Sequence, residues 1–231
     1  TRRSSDLDDR RKVMRYKFKK ITVITGYYGS GKTNLAVNLA LELSKKGTVC
    51  IVDLDIVNPY FRAADFKGLF HQNNIKLVCP QYAGTNLDVP SFCFDLEGLS
   101  EEYDYLIVDV GGDDSGAFAL GKFSDFFNSC ECFEMLYVFN MYRDLSVDEI
   151  VKTLIDIQKA SRIKCTGLVN ASNLGEITDD LTIKKSLDFA DEVAEKSMLP
   201  LKFTCVPIGF KGNIDSEIFY TKRLVKMPWE D

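Results

Sequence analysis

Short apolar runs rich in β-branched residues alternate along this chain with longer stretches whose apolar positions recur every three or four residues. The runs fall at Ile21–Thr25, Thr48–Asp53, Ile75–Val78, Tyr103–Val110, Met135–Asn140, Thr166–Asn170 and Lys202–Val206, and each reads as a strand. Leu35, Ala36, Leu39, Ala40 and Leu43 form a helical stripe, and further helices are predicted over Phe61–Phe70, about 145–161 and 180–197. Continuous apolar strands separated by helices predict a parallel sheet covered on both faces. The expected fold is therefore a single-domain α/β protein, a three-layer α/β/α sandwich around a mostly parallel sheet. Its domain is expected over 19–231, after a polar, charged extension at 1–18 to which no function is assigned. Residues 80–100 break the alternation and read as a long irregular insert. In such sheets ligands bind beyond the carboxyl ends of the strands. Several runs here end in polar residues: Asp53-Leu54-Asp55, Asp109, Asn140 and Asn170.

The first run leads straight into Gly26-Tyr27-Tyr28-Gly29-Ser30-Gly31-Lys32-Thr33, which fits G-x-x-x-x-G-K-[ST], the phosphate-binding loop. Glycines let backbone N–H groups curl around an anion, and the helix that follows brings its positive dipole end to the same place. The strand before the loop and the helical stripe after it supply the context that this mechanism requires. Gly26, Tyr27, Tyr28, Gly29, Ser30, Gly31, Lys32, Thr33 and Asn34 are thus the candidate nucleotide contacts. Lys32 is expected to reach the β- and γ-phosphates, and the Thr33 hydroxyl to take a Mg²⁺ position.

A triphosphatase also needs carboxylates for the metal, a group that orients water and a reader of the base. Asp109 ends the apolar run Leu106-Ile107-Val108, the arrangement of a Walker B acid, and is a candidate metal residue. Gly111 and Gly112 follow, giving Asp109-x-x-Gly112, a pattern suited to a switch loop that senses the γ-phosphate through a backbone N–H. Asp53 and Asp55 close the second strand, where paired carboxylates can position water and Mg²⁺ or simply cap the turn at Asn58-Pro59. Asn170 offers donors and an acceptor that match the edge of adenine. A guanine reader would show Asn-Lys-x-Asp, whereas this chain has Asn170-Ala171-Ser172-Asn173, so ATP is favoured over GTP. His71 is the only histidine, which leaves His-based catalysis without support.

These motifs resemble those of the MinD/ParA/nitrogenase-iron-protein group of P-loop NTPases, the CobQ/CobB/MinD/ParA nucleotide-binding domains, over about residues 19–210. The likeness rests on the loop, on Val52-Asp53-Leu54-Asp55, on Val108-Asp109-Val110-Gly111-Gly112 and on Gly167-Leu168-Val169-Asn170. It implies that Asp55 orients the attacking water and contributes at the metal, that Asn170 reads adenine and that Pro207 borders the base. The group's loop carries an early lysine that reaches across a nucleotide-sandwiched dimer. Tyr27 stands in that place here, and a phenol cannot supply the cation; Arg62 and Arg143 are alternative positive groups.

Composition narrows the partners. The 231 residues carry a net charge of −5, which argues against general nucleic-acid affinity. No apolar run approaches the roughly 20 residues of a membrane span, and the first twenty residues lack the apolar core of a secretory signal. The tail Thr221-Lys222-Arg223-Leu224-Val225-Lys226-Met227-Pro228-Trp229 is short and interrupted by proline, unlike a membrane-binding helix. Seven cysteines without a framework spacing suit a reducing, cytoplasmic setting. Cys130-x-Cys132 is the one close pair. The leading expectation is a cytoplasmic Mg²⁺-dependent ATPase that cycles between ATP and ADP states and acts on a partner protein or as a homodimer. Two rival readings are an ATP-dependent small-molecule enzyme of the dethiobiotin synthetase or cobyrinate amidase type and a non-hydrolysing nucleotide sensor.

Overall fold

Among the described residues eight strands form one sheet in the order β3-β2-β4-β1-β5-β6-β7-β8, and each of their pairings is parallel. The computed structural model describes residues 16–55, 63–79, 95–143 and 146–225. The strands are β1 (Ile21–Gly26), β2 (Val49–Leu54), β3 (Ile75–Val78), β4 (Tyr105–Val110), β5 (Phe133–Phe139), β6 (Gly167–Asn170), β7 (Leu201–Pro207) and β8 (Ile218–Thr221). The helices are α1 (Lys32–Leu43), α2 (Lys67–Gln72), α3 (Leu96–Glu102), α4 (Asp114–Gly121), α5 (Ser124–Ser129), α6 (Val147–Ser161) and α7 (Asp180–Ser197).

The strands carry no polar alternation because both sheet faces are covered. Successive side chains of β5 go to opposite layers: Met135, Tyr137 and Phe139 join one apolar cluster, and Leu136 and Val138 join the other. The first layer holds Ala117 and Leu120 of α4, Ile150, Leu154 and Ile157 of α6, and Ala190 and Val193 of α7. The second is built on Leu35, Ala36, Leu39, Ala40 and Leu43 of α1 together with Phe70. The two long helices start at capping boxes, Ser146 with Glu149 and Asp179 with Thr182, which satisfy the first orphan N–H groups.

The expected sandwich is present, and its sheet is parallel throughout. Four differences from the sequence reading have physical causes. An eighth strand, β8, extends the sheet beyond the run read as the last one; it lies at the sheet edge, buried only at Ile218 and Phe219, and Phe219 packs there on Phe203. The helix expected over Phe61–Phe70 is a 3₁₀ turn, Ala63–Phe66, followed by α2, and residues 61–62 lie outside the described residues. Part of the supposed irregular insert is helical, since Asp95 caps α3 by accepting from the Glu97 N–H; residues 80–94 lie outside the described residues. The short helices α4 and α5 also escape a search for long periodic stretches.

Tyr16 and Phe18, before β1, pack on Phe203 at 5.3 and 5.6 Å between ring centroids. Among the described residues no helix is long and apolar enough to cross a membrane.

Candidate functional site

The chain leaves β1 at Gly26 and turns through the loop into α1. Gly26 pairs with Val138 of β5, and a Cβ at this position, where φ is +148°, would sit 2.1 Å from the Val138 carbonyl oxygen. No residue with a side chain fits without displacing the strand. Gly31 caps α1 in the left-handed region, and its carbonyl accepts from the Leu35 N–H at 2.9 Å. The N-terminus of α1 therefore opens into the loop, its dipole aimed at whatever the loop holds.

Lys32 is buried, and its Nζ donates to the Tyr27 carbonyl at 3.0 Å. Burial lowers its pKa, against the opposing pull of Asp109, Asp55 and Asp113 in that order. Asp109 pairs in register with Asp53 on the neighbouring β2, so the two carboxylates stand side by side. Burial and the Asp53 charge raise the Asp109 pKa to about 8, while Lys32 and the nearby Thr33 hydroxyl act to lower it. Both carboxylate oxygens of Asp109 are buried without a hydrogen-bond partner, and so is Ser30 Oγ in the loop. A buried polar atom without a partner costs about 1–3 kcal/mol. Two of these three atoms belong to Asp109 and one to the loop itself.

Asp55 follows β2 with its N–H on Asp53 Oδ1 at 3.0 Å. Its carboxylate lies against the segment after β4: a Cβ on Gly111 would come within 3.1 Å of Asp55 Oδ1. The next residue sits on the loop itself. A Cβ at Gly112 would lie 2.7 Å from the Gly26 carbonyl oxygen and the Tyr28 nitrogen, and 2.9 Å from Lys32 Nζ. Asp113 then caps α4 through the Gly116 N–H at 2.9 Å. Lys32 and Thr33 at the start of α1, Asp55 and Asp109 at the ends of β2 and β4, and Gly112 just after β4 are thus brought together at one mouth.

Other candidates have different surroundings. Tyr27 and Tyr28 are exposed at the rim, and Tyr27 contributes its carbonyl, not its ring, to Lys32. Asn34 gives its side chain to the chain's later part, with Oδ1 accepting from the Leu224 and Val225 N–H groups at 2.9 and 3.3 Å. Asn170 is fully buried, donates to Ser186 Oγ at 2.8 Å and accepts from the Ser172 N–H at 3.1 Å. Both ends of its amide are thus engaged within the fold. Pro207 is half-buried at the end of β7, paired with Thr221. Arg62 lies outside the described residues. Cys130 and Cys132 sit before β5, at the end of the sheet away from the loop, with sulfurs 3.0 Å apart.

The structure adds Asp113, which sequence reading did not single out, and it brings Arg143 onto the loop. The signal for Asp113 was present, an acid directly after Asp109-x-x-Gly112. Arg143 is one of the two alternative positive groups named from the sequence, and its place on the loop, 114 positions from Gly29, has no local signal.

Metal fit can be judged from the donors. Oxygen groups dominate, which suits a hard cation. Among the described residues no group of three or more His, Cys, Asp or Glu could hold a metal alone.

No protein-family model matches the chain, and no curated protein matches it in sequence. Solved structures do match in fold. The 54 kDa signal recognition particle protein of Aeropyrum pernix, solved with GDP, is 17% identical with a TM-score of 0.53, covering 81% of this chain and 41% of that one. The cell division protein FtsY of Thermotoga maritima is 16% identical with a TM-score of 0.55, covering 83% and 65%. Chloroplast FtsY of Physcomitrella patens is 15% identical with a TM-score of 0.56, covering 88% and 62%. The chain spans between two fifths and two thirds of these structures. At such identities the likeness is one of fold: this chain has the α/β fold of P-loop NTPases, and the narrower likeness to the MinD/ParA group rests on its sequence motifs.

Proposed function

We propose that this protein is a Mg²⁺-dependent nucleoside triphosphatase, with ATP as its nucleotide, whose segment after β4 moves with the state of the terminal phosphate. One observation carries the reading: Lys32, Asp55, Asp109 and Gly112 converge on the loop Gly26–Thr33, with the Asp109 carboxylate buried and unsatisfied.

Thr33 and Asp109, with Asp55, would hold Mg²⁺, which when bound neutralises charge on the phosphoryl oxygens. Lys32 exchanges the Tyr27 carbonyl for phosphate oxygens, its charge favoured by the carboxylates around it. Asp55, at the carboxyl end of β2, orients the attacking water. Gly112 already touches the loop, so an arriving terminal phosphate must displace it or bond its N–H. Loss of that phosphate releases the segment, and α4 begins two residues later. Such a device would report to a partner protein or to a second copy of this chain. ATP is preferred because Asn170-Ala171-Ser172-Asn173 lacks the lysine and aspartate of a guanine reader. The GDP in the Aeropyrum protein makes GTP the direct competitor to test.

The test is Mg²⁺-dependent turnover of ATP and GTP by wild type and Asp55→Ala, with binding measured on both. ATP binding retained within about threefold and turnover down about 100-fold in the variant is the expected result. A wild type that binds neither nucleotide overturns the reading. Binding without turnover would make the protein a nucleotide sensor instead of a hydrolase.

A further inference from the structure

Arg143 stands against the phosphate loop from the β5 side. It belongs to the turn Asn140–Arg143 that follows β5, and this turn is tied down at several points. Asn140 Oδ1 accepts from the Tyr142 N–H at 3.0 Å, Ser172 Oγ accepts from the Met141 N–H at 2.9 Å, and the Tyr142 hydroxyl donates to the Thr182 carbonyl in α7 at 2.9 Å. The Arg143 N–H itself returns to the Asn140 carbonyl at 3.2 Å. From this fixed base the guanidinium reaches the loop, where Nε donates to the Gly29 carbonyl at 3.0 Å. A Cβ built on Gly29 would meet Nε at 3.4 Å and Cζ at 3.6 Å.

The charges at the mouth say why a second cation belongs there. Lys32 is buried and already faces Asp109, Asp55 and Asp113, with Asp53 beside Asp109. A bound triphosphate adds several negative charges to a site where acids outnumber the loop's single lysine. Arg143 is exposed, so re-aiming it costs little, and only its Nε is hydrogen-bonded among the described side chains. A guanidinium has five donors in a planar fork that matches phosphate oxygens.

We propose that Arg143 contacts the phosphates of the bound nucleoside triphosphate, supplied from the same chain by the β5 turn, and favours triphosphate over diphosphate. The proposal rests on the loop being a nucleotide site. It differs from a mere brace on Gly29, which would need only a hydrogen-bond donor.

Arg143→Gln and Arg143→Lys separate the two. Glutamine keeps a donor for the Gly29 carbonyl without the charge; lysine keeps the charge without the fork. Affinities for ATP and ADP, each with Mg²⁺, are measured for wild type and both variants across a salt series. In Arg143→Gln we expect ATP affinity down about tenfold, ADP affinity down less than about threefold, and a shallower salt dependence for ATP. Arg143→Lys should fall between Gln and wild type. Equal losses for ATP and ADP, or none, would overturn the proposal. So would a nucleotide-free Gln variant that unfolds far below wild type, since the contact would then be structural. A wild type that binds neither ATP nor GTP defeats the reading of the loop itself, an outcome visible before any variant is compared.

Discussion

Two buried carboxylates in this protein are treated in opposite ways. Glu134, near the start of β5, accepts from the Tyr16 hydroxyl, from the Lys19 N–H at 2.8 Å and from the Thr22 hydroxyl at 3.0 Å. That network fixes the incoming segment at 16–19 to the amino end of the sheet, and it raises the Tyr16 pKa through burial and the bond to Glu134. Asp109, at the carboxyl end of β4, is as deeply buried and has no hydrogen-bond partner for either oxygen. The first carboxylate is finished by the fold; the second is left open by it. A chain tolerates such an unsatisfied acid where a ligand completes it, and strain of that kind gathers at functional sites. On the function proposed above, the carboxyl end of the sheet is the working end, while the amino end is closed by its own hydrogen bonds.

The strongest way to break this contrast is to remove the cation at the open end. Lys32→Ala should lower turnover about 10²–10³-fold, as loss of a preorganised charge at a transferring phosphoryl group does, and should abolish the rise in melting temperature that nucleotide gives wild type. A variant with unchanged turnover would show that the loop is not the site of chemistry.

A matched pair of substitutions sharpens the comparison. Glu134→Gln turns an NH₂ toward a set of donors, and nucleotide-free protein should lose about 2 kcal/mol in urea unfolding. The same carboxylate-to-amide change at Asp109 should have the opposite sign, a gain on the order of 1 kcal/mol without nucleotide or metal. Its pH dependence follows from the raised pKa. Between the ordinary carboxylate range and about 8 the folded state holds a proton that the unfolded state has released. Wild-type stability from this group therefore falls as pH rises through that window. The gain in Asp109→Asn should be larger at pH 9 than at pH 5. If both amide variants lose stability alike, the two carboxylates are not differently built.

Much of the fold was legible because a doubly covered parallel sheet leaves continuous apolar strands, and these stand out from amphipathic helices. Of the elements that escaped, the helices α4 and α5, of eight and six residues, are too short to display a period, whereas β8 is no shorter than β3 and β6, which were read. The site was legible to the extent that its parts are local. The loop is one contiguous motif, and Asp55 and Asp109 announce themselves by ending apolar runs. Asn170 has the same position at a strand end, yet its amide faces Ser186; a sequence records that a strand ends in asparagine, not which way the side chain turns.

What the sequence alone determined is the alternation of seven strands with the longer helices, the loop motif and the acids placed at strand ends, because each is set by residues close together in the chain. What only the tertiary structure decided is how those parts meet. Strand order set Asp53 beside Asp109 and raised the latter's pKa, and the packing of β4 against β1 set Gly112 on the loop. The β5 turn carried Arg143 to Gly29 across 114 positions. Charge coupling and close contact depend on distance in space, and the parallel crossovers of this sheet separate distance in space from distance in sequence.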